Sequence, residues 1–303
     1  IYLSLGNAKS MQKILVDISQ KFVLFIDEVD SVDSGRDSYK SVVIPELKEL
    51  ASIKFGVSAT LTDTLIRSEN NVLLTDVILL TTPLNYRGLA DIQIENISES
   101  SKFTGKKSAD LFLSDPELLT YVDNFSKKKI IKFVSSKTHP RISLINICRT
   151  KDPCYEFQDE ITRIYPKIDF LVYNADGITM VKNSRKKFFK GTISECLQKL
   201  KNKKKSTHII IMACELAGRG ISFVSSDYCW HLTEERLLVS KKCDQSEIQQ
   251  KIRLCGVYND RIPLKLYITK SLEKDINKAY LLQQEFLAHI RCVANETEAN
   301  LKN

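Results

Sequence analysis

Cysteine and histidine are both present, but not in an arrangement that binds metal. The eight cysteines, at positions 148, 154, 196, 214, 229, 243, 255 and 292, contain no Cys-x-x-Cys pair, and only four histidines accompany them. Buried thiols kept reduced, several inside apolar runs, account for them better than disulfides or zinc, and no structural metal is expected. Long apolar runs are missing too. None approaches the roughly 20 residues that span a bilayer, and no secretory signal opens the chain, which predicts an intracellular protein without a membrane partner. No internal repeat is visible.

What is present is enough for two hydrophobic cores: 303 residues, 43% of them hydrophobic. Short apolar strands alternate with helical periods, which predicts α/β architecture with parallel sheets. The expected strands are 22–26, 53–58, 72–80, 141–148, 170–173, 208–213 and 263–269. Helices are expected near 41–52 and over 115–127, 154–165, 193–201 and 271–295, and a turn at Asn174-Ala-Asp-Gly177. Glu95 to Asp110, rich in Ser and Lys, reads as an exposed loop or linker.

The most informative stretch is Asp27-Glu28-Val29-Asp30, at the end of the apolar run Phe22 to Ile26, which reads as a fully buried strand. Open α/β sheets bind ligands at the carboxyl ends of their strands. Magnesium is hard and takes one or two carboxylates plus substrate phosphates, while a neighbouring acid is free to orient or deprotonate the attacking water. Asp27 suits the metal and Glu28 the water. A second apolar run ends thirty-one residues on in Ser58-Ala59-Thr60, hydroxyls suited to bonding a neighbouring carboxylate. The two loops are expected to meet side by side.

These residues resemble superfamily 2 helicases, viral-type and DEAD/DEAH-like, whose Asp-Glu-x-Asp box is followed at about this interval by Ser-Ala-Thr. Later segments extend the likeness. Cys214-Glu-Leu-Ala-Gly218-Arg219-Gly220 follows the apolar run His208 to Ala213 and looks like the family's motif V. Its glycines let backbone approach a phosphate while Arg219 reaches into the cleft. Gln249-Gln-Lys-Ile-Arg253 resembles motif VI, with Arg253 as the arginine finger; the family's second arginine is Gly256 here. The resemblance implies two RecA-like parallel-sheet domains, the first incomplete at its N-terminus. These would cover residues 1–95 and 139–303, with 96–138 as a linker or insertion.

Function follows from the same likeness: ATP-dependent movement on, or unwinding of, DNA or RNA, with ATP and Mg2+ bound between the two lobes. Asp27 would sit on magnesium with Asp30 nearby, and Glu28 and Arg253 would be catalytic. Gly218, Arg219, Gly220 and Gln249 would contact the nucleotide, and Ser58, Ala59 and Thr60 would couple hydrolysis to motion. A phosphate-cradling Gly-x-x-x-x-Gly-Lys-[Ser/Thr] segment is absent; Gly6-Asn7-Ala8-Lys9-Ser10 lacks the loop length and lies only 18 residues before Asp27. The chain opens on an apolar Ile1-Tyr-Leu-Ser-Leu strand without an initiator methionine, so a fragment whose upstream part holds that loop is expected. The alternatives are a translocase subunit of a restriction or remodelling complex, and a nucleic-acid-binding module that has lost its ATPase.

Charge agrees with a nucleic-acid partner. The net value is +8, concentrated in Lys127 to Lys132, Lys182 to Lys190 and Lys199 to Lys205. Such runs attract the phosphate backbone by releasing counterions, though each also suits a solvated loop. Phe188 and Phe189 within the second run suit stacking on bases or core packing equally. The abundance of Lys, Ile and Asn points to an AT-rich source, such as a virus or parasite.

Overall fold

A computed structural model describes residues 22–27, 48–57, 82–98, 113, 115–133, 138–146, 152–174, 176–182, 185–203, 205–213, 221–239, 248 and 250–301. The chain divides into two compact units, residues 1–79 with 280–303, and residues 80–279.

In the first unit, β1 (Val23–Asp27) and β2 (Ile53–Val57) pair in parallel, in register from Val23↔Ile53 to Asp27↔Val57. Both are apolar runs, as parallel strands covered on two faces require. Here the cover is sparse, and Ile53 to Gly56 of β2 are all exposed. Ile26 is buried, whereas Phe25 is 70% exposed and stacks on Phe55 with ring centroids 4.9 Å apart. The expectation of a fully buried first strand is therefore corrected: its apolar run specifies a strand, and the exposed face carries Val23, Phe25, Ile53 and Phe55.

The second unit is built on β3 (Tyr86–Arg87), β4 (Gln93–Ile97), β5 (Ile131–Lys132), β6 (Thr138–His139), β7 (Arg141–Asn146), β8 (Ile168–Asn174), β9 (Gly177–Lys182), β10 (Arg185–Phe189), β11 (His208–Ala213), β12 (Glu234–Leu237), β13 (Gly256–Val257) and β14 (Lys265–Thr269). Eight of these form one sheet in the order β10-β9-β8-β11-β7-β12-β14-β4. From β8 to β4 every pairing is parallel, and the β9–β10 hairpin adds an antiparallel edge. This is the expected α/β class with a largely parallel sheet.

Helices cover both faces. On one side α1 (Pro116–Lys127) and α2 (Asp152–Ile164) bury Leu118, Val122, Phe125, Phe157 and Ile161 against Ile145, Phe170, Ile210 and Met212. On the other, α3 (Ile193–Asn202) and the first turns of α4 (Lys270–Leu301) contribute Leu197, Leu200, Leu272 and Ile276 to a core with Leu144, Leu171, Ile211 and Leu266. Helix starts are set by local chemistry. Asp115 caps α1 by accepting from the Glu117 N–H at 2.9 Å, with Pro116 in the first turn. Thr192 and Glu195 form a reciprocal capping box on α3, at 3.2 and 2.9 Å. Among the described residues no helix is long and apolar enough to cross a membrane.

Three elements depart from the sequence expectation. Gln93–Ile97, expected to lie largely in an exposed stretch, is the edge strand β4, which tolerates polar residues because one side faces away from the ladder. Arg185–Phe189, within the basic run expected as a solvated loop or phosphate contact, is a strand rather than a loop, and Arg185 to Phe188 are exposed on it. Glu234–Leu237, unassigned from the sequence, is a central strand whose four residues are all buried.

Candidate functional site

Asp27 ends β1 directly opposite Val57, the last residue of β2. Because the pair is parallel, the chain leaves both strands at the same end, with Glu28 following one and Ser58 the other. The strand ends from which the two loops start are thus adjacent. Glu28, Asp30, Ser58, Ala59 and Thr60 themselves lie outside the described residues, as does the side chain of Asp27.

In the second unit β11 ends at the fully buried Ala213, and the chain is described again from Ile221, with Phe223 buried against Tyr173, ring centroids 6.4 Å apart. Gly218, Arg219 and Gly220 fall between these anchors, outside the described residues, and so does Gln249.

Arg253 is half-buried, just beyond a helical turn that includes Ile248, Gln250 and Lys251. Its backbone N–H donates to Glu235 Oε2 at 2.8 Å. Glu235 is fully buried on β12. Burial pushes its carboxyl up to about 8, against the opposing pull of the Arg253 amide and guanidinium, of Asn146 and of the Leu254 amide. A buried acid of this kind fixes the turn carrying Arg253 to the centre of the sheet. Sequence reasoning missed it, because three successive charged residues, Glu234-Glu235-Arg236, read as surface.

Gly256 pairs with Arg87 in the short β3–β13 ladder. A Cβ at Gly256 would have its nearest neighbour 4.0 Å away, so crowding does not explain glycine where the resemblance expects arginine. Arg261 is exposed.

A cleft of about 550 Å³ lies between α1 and strands β4, β12 and β14. Its charges are mutually compensated. Lys128 meets Glu234 at 2.6 Å and Tyr267 Oη at 3.0 Å, Lys265 pairs with Glu95, and the buried Arg236 lies 3.5 Å from Glu117 and over the Tyr121 ring.

The three basic runs differ in how much of their charge is already engaged. In the first, Lys127 pairs with Asp123 and Lys128 with Glu234. In the third, Lys201 pairs with Asp227 and Lys199 lies 5.1 Å from the Phe189 ring centroid. In the second, Lys186 reaches Asp159 at 3.6 Å, while Arg185, Lys187 and Lys190 form no ion pair among the described residues.

No family model matches this chain, and neither does any curated protein. Two solved structures share 12% identity with it. S. cerevisiae Dbp5 bound to RNA and ADP BeF3 superposes with a TM-score of 0.45 over 90% of this chain and 59% of its own. A single-substitution variant of Dbp5, also bound to RNA and ADP BeF3, gives 0.46, 89% and 61%. The chain spans about three fifths of the length of each.

Proposed function

We propose that this chain is the motor portion of a nucleic-acid-dependent ATPase of the superfamily 2 helicase type, moving on or unwinding DNA or RNA. The observation that carries the reading is the parallel register ending on Asp27↔Val57, which starts the acidic loop and the Ser-Ala-Thr loop from adjacent strand ends. Carboxylates at a strand terminus are the donor chemistry that a hard, oxygen-seeking cation takes together with phosphates. In this reading Asp27, with Asp30 nearby, holds magnesium, which when bound neutralises charge on the phosphates. Glu28 orients and deprotonates water. Gly218, Arg219, Gly220 and Gln249 contact the nucleotide, and Ser58, Ala59 and Thr60 relay hydrolysis to movement.

Arg253 supplies fixed positive charge to the phosphoryl group, a contribution of about three to five orders of magnitude where arginine fingers operate. Its attachment to Glu235 holds its backbone in place. The test is ATP turnover by the longest natural form of the chain, with and without nucleic acid, beside Glu28→Gln. Stimulated turnover reduced about 10²-fold or more by the substitution is the expected result. Absence of turnover in a form that still binds nucleic acid overturns it.

A second reading, a nucleic-acid-binding module without ATPase activity, draws on Gly256, which stands without steric need where a second arginine is expected. It predicts binding indifferent to ATP.

A further inference from the structure

The β9–β10 hairpin is an addition to an otherwise parallel sheet, and its outer strand reads Arg-Lys-Lys-Phe-Phe. Lysines on a sheet edge ordinarily serve to prevent edge-to-edge pairing, and that alone would account for the charge. It does not account for Phe188. This ring is 52% exposed, on an edge where apolar surface is a liability.

The turn leading into the hairpin is shaped around that ring. Asn174 Oδ1 accepts from the Asp176 N–H at 2.9 Å, and Gly177 follows with φ +124°, a conformation that side chains rarely adopt. A Cβ on Gly177 would lie 3.0 Å from Phe188 Cζ and 3.1 Å from the Phe189 carbonyl oxygen. The second ring is also held by a glycine: a Cβ on Gly191 would come within 2.6 Å of Phe189 Cε1. Below, Gln158 of α2 donates to the Phe170 and Thr179 carbonyls at 2.8 and 2.9 Å, tying the hairpin to the sheet. Phe188 is therefore a ring presented in a fixed position.

Alternation along β10 puts Lys186 on the same face as Phe188, where its ammonium lies 5.1 Å from the centroid of Tyr155. Arg185 and Lys187 project from the other face of the same edge, and Lys190 follows the strand. An exposed aromatic ring on a strand edge that also carries cations with no ion pair among the described residues offers the two groups with which proteins hold single strands, since every base has a π-face and every nucleotide a phosphate. The register places Phe188 beside Thr179 and Phe189 beside Ile178, close to the Asn174↔Gly177 turn at the carboxyl end of β8.

We propose that this hairpin edge is an accessory contact for single-stranded nucleic acid, with Phe188 stacking on a base and Arg185, Lys187 and Lys190 engaging the adjacent phosphates. The inference rests on the nucleic-acid reading above and adds to it a contact outside the four helicase-like motifs. The experiment is fluorescence anisotropy of labelled 20-nucleotide oligo(dT) and oligo(U), and of a labelled DNA duplex of the same length, with the full chain, over a range of salt. Variants are Phe188→Ala, Phe188→Trp and the double substitution Lys187→Gln, Lys190→Gln.

Loss of one stacking partner predicts that Phe188→Ala binds about five- to one hundred-fold more weakly, with its salt slope unchanged, while Phe188→Trp binds like the parent. Removing two phosphate contacts lowers the slope of log K against log salt by about 1.4. Binding by the parent that Phe188→Ala leaves intact overturns the hairpin contact and spares the motor reading. A lysine effect equal on single strands and duplex, without a Phe188 effect, overturns the stacking role. Failure of the parent chain to bind either oligonucleotide removes both readings together. Circular dichroism of Phe188→Trp and Phe188→Ala separates loss of contact from loss of fold.

Discussion

Two sets of parallel strands of similar composition meet different fates in this molecule. Phe22 to Ile26 and His208 to Met212 are both short apolar runs, and both become parallel strands. In β11, Ile209, Ile210, Ile211 and Met212 have no accessible surface, because helices cover both faces of the eight-stranded sheet. In β1 the alternation shows instead: Val23 and Phe25 are exposed and Ile26 is buried. An apolar run specifies the strand. Burial depends on which other elements lie across it, and these are distant in sequence.

The largest expected effect sharpens that comparison. Phe170→Ala, in a strand packed against Phe157 at 5.9 Å between ring centroids, should destabilise the chain by about 3–5 kcal/mol through lost burial and a residual cavity. Phe25→Ala, at a ring 70% exposed, should cost under about 1 kcal/mol. Urea denaturation of the two variants measures both, and a Phe25→Ala cost approaching that of Phe170→Ala would show that the outer face of the first pair is covered in solution.

The same contrast explains what the sequence could reveal. Strands β7, β8 and β11 were legible because parallel strands buried on both faces are apolar throughout. Strand β12 was not, because Glu234, Glu235 and Arg236 enter the sheet with partners more than fifteen residues away: Lys128 for the first, the Arg253 amide for the second, Glu117 and the Tyr121 ring for the third. No local pattern encodes such compensation. The hairpin was hidden for a related reason, since Arg185 to Phe189 reads as a charge run until Gly177 and Gln158 fix it to β8. Of the candidate site, the placement of Asp27 at a strand end, and of Ser58 after the neighbouring one, was legible; the attachment of Arg253 to Glu235 was not.

Buried titrating groups extend the comparison to two strands of the second unit, β12 and β6, and their slopes have opposite sign. Glu235 is an acid whose folded value, about 8, lies above its ordinary 4.5. Between those values the folded chain keeps a proton that the unfolded chain has released. Stability from this group is therefore complete below about pH 4.5 and declines as pH rises towards 8, at up to about 1.4 kcal/mol per pH unit. Glu235→Gln keeps an acceptor for the Arg253 N–H and removes the titration, so its unfolding free energy should be flatter from pH 5 to 8 than that of the parent. Parallel profiles over that interval would exclude Glu235 as the titrating group.

His139 runs the other way and over a narrower interval. Its Nδ1–H donates to the Pro140 carbonyl at 2.6 Å, and its Nε2 accepts from the His231 N–H at 3.0 Å, so both ring nitrogens are engaged in the neutral form. Burial lowers its value from 6.5 to about 4, helped by His231, Arg141 and Lys201 nearby and opposed by the Pro140 carbonyl. Protonating Nε2 would set an N–H against the N–H of His231. Stability from this neutral ring is present above about pH 6.5 and is lost as pH falls towards 4, where the unfolded chain binds the extra proton. Glutamine at this position, His139→Gln, removes the titration, so the acid limb between pH 6.5 and 4 should become shallower while the limb between pH 6.5 and 8 stays that of the parent. An acid limb of unchanged steepness would assign the loss of stability below pH 6.5 to other groups. A change in the alkaline limb instead would mean that His139, on β6, and Glu235, on β12, titrate as one coupled system.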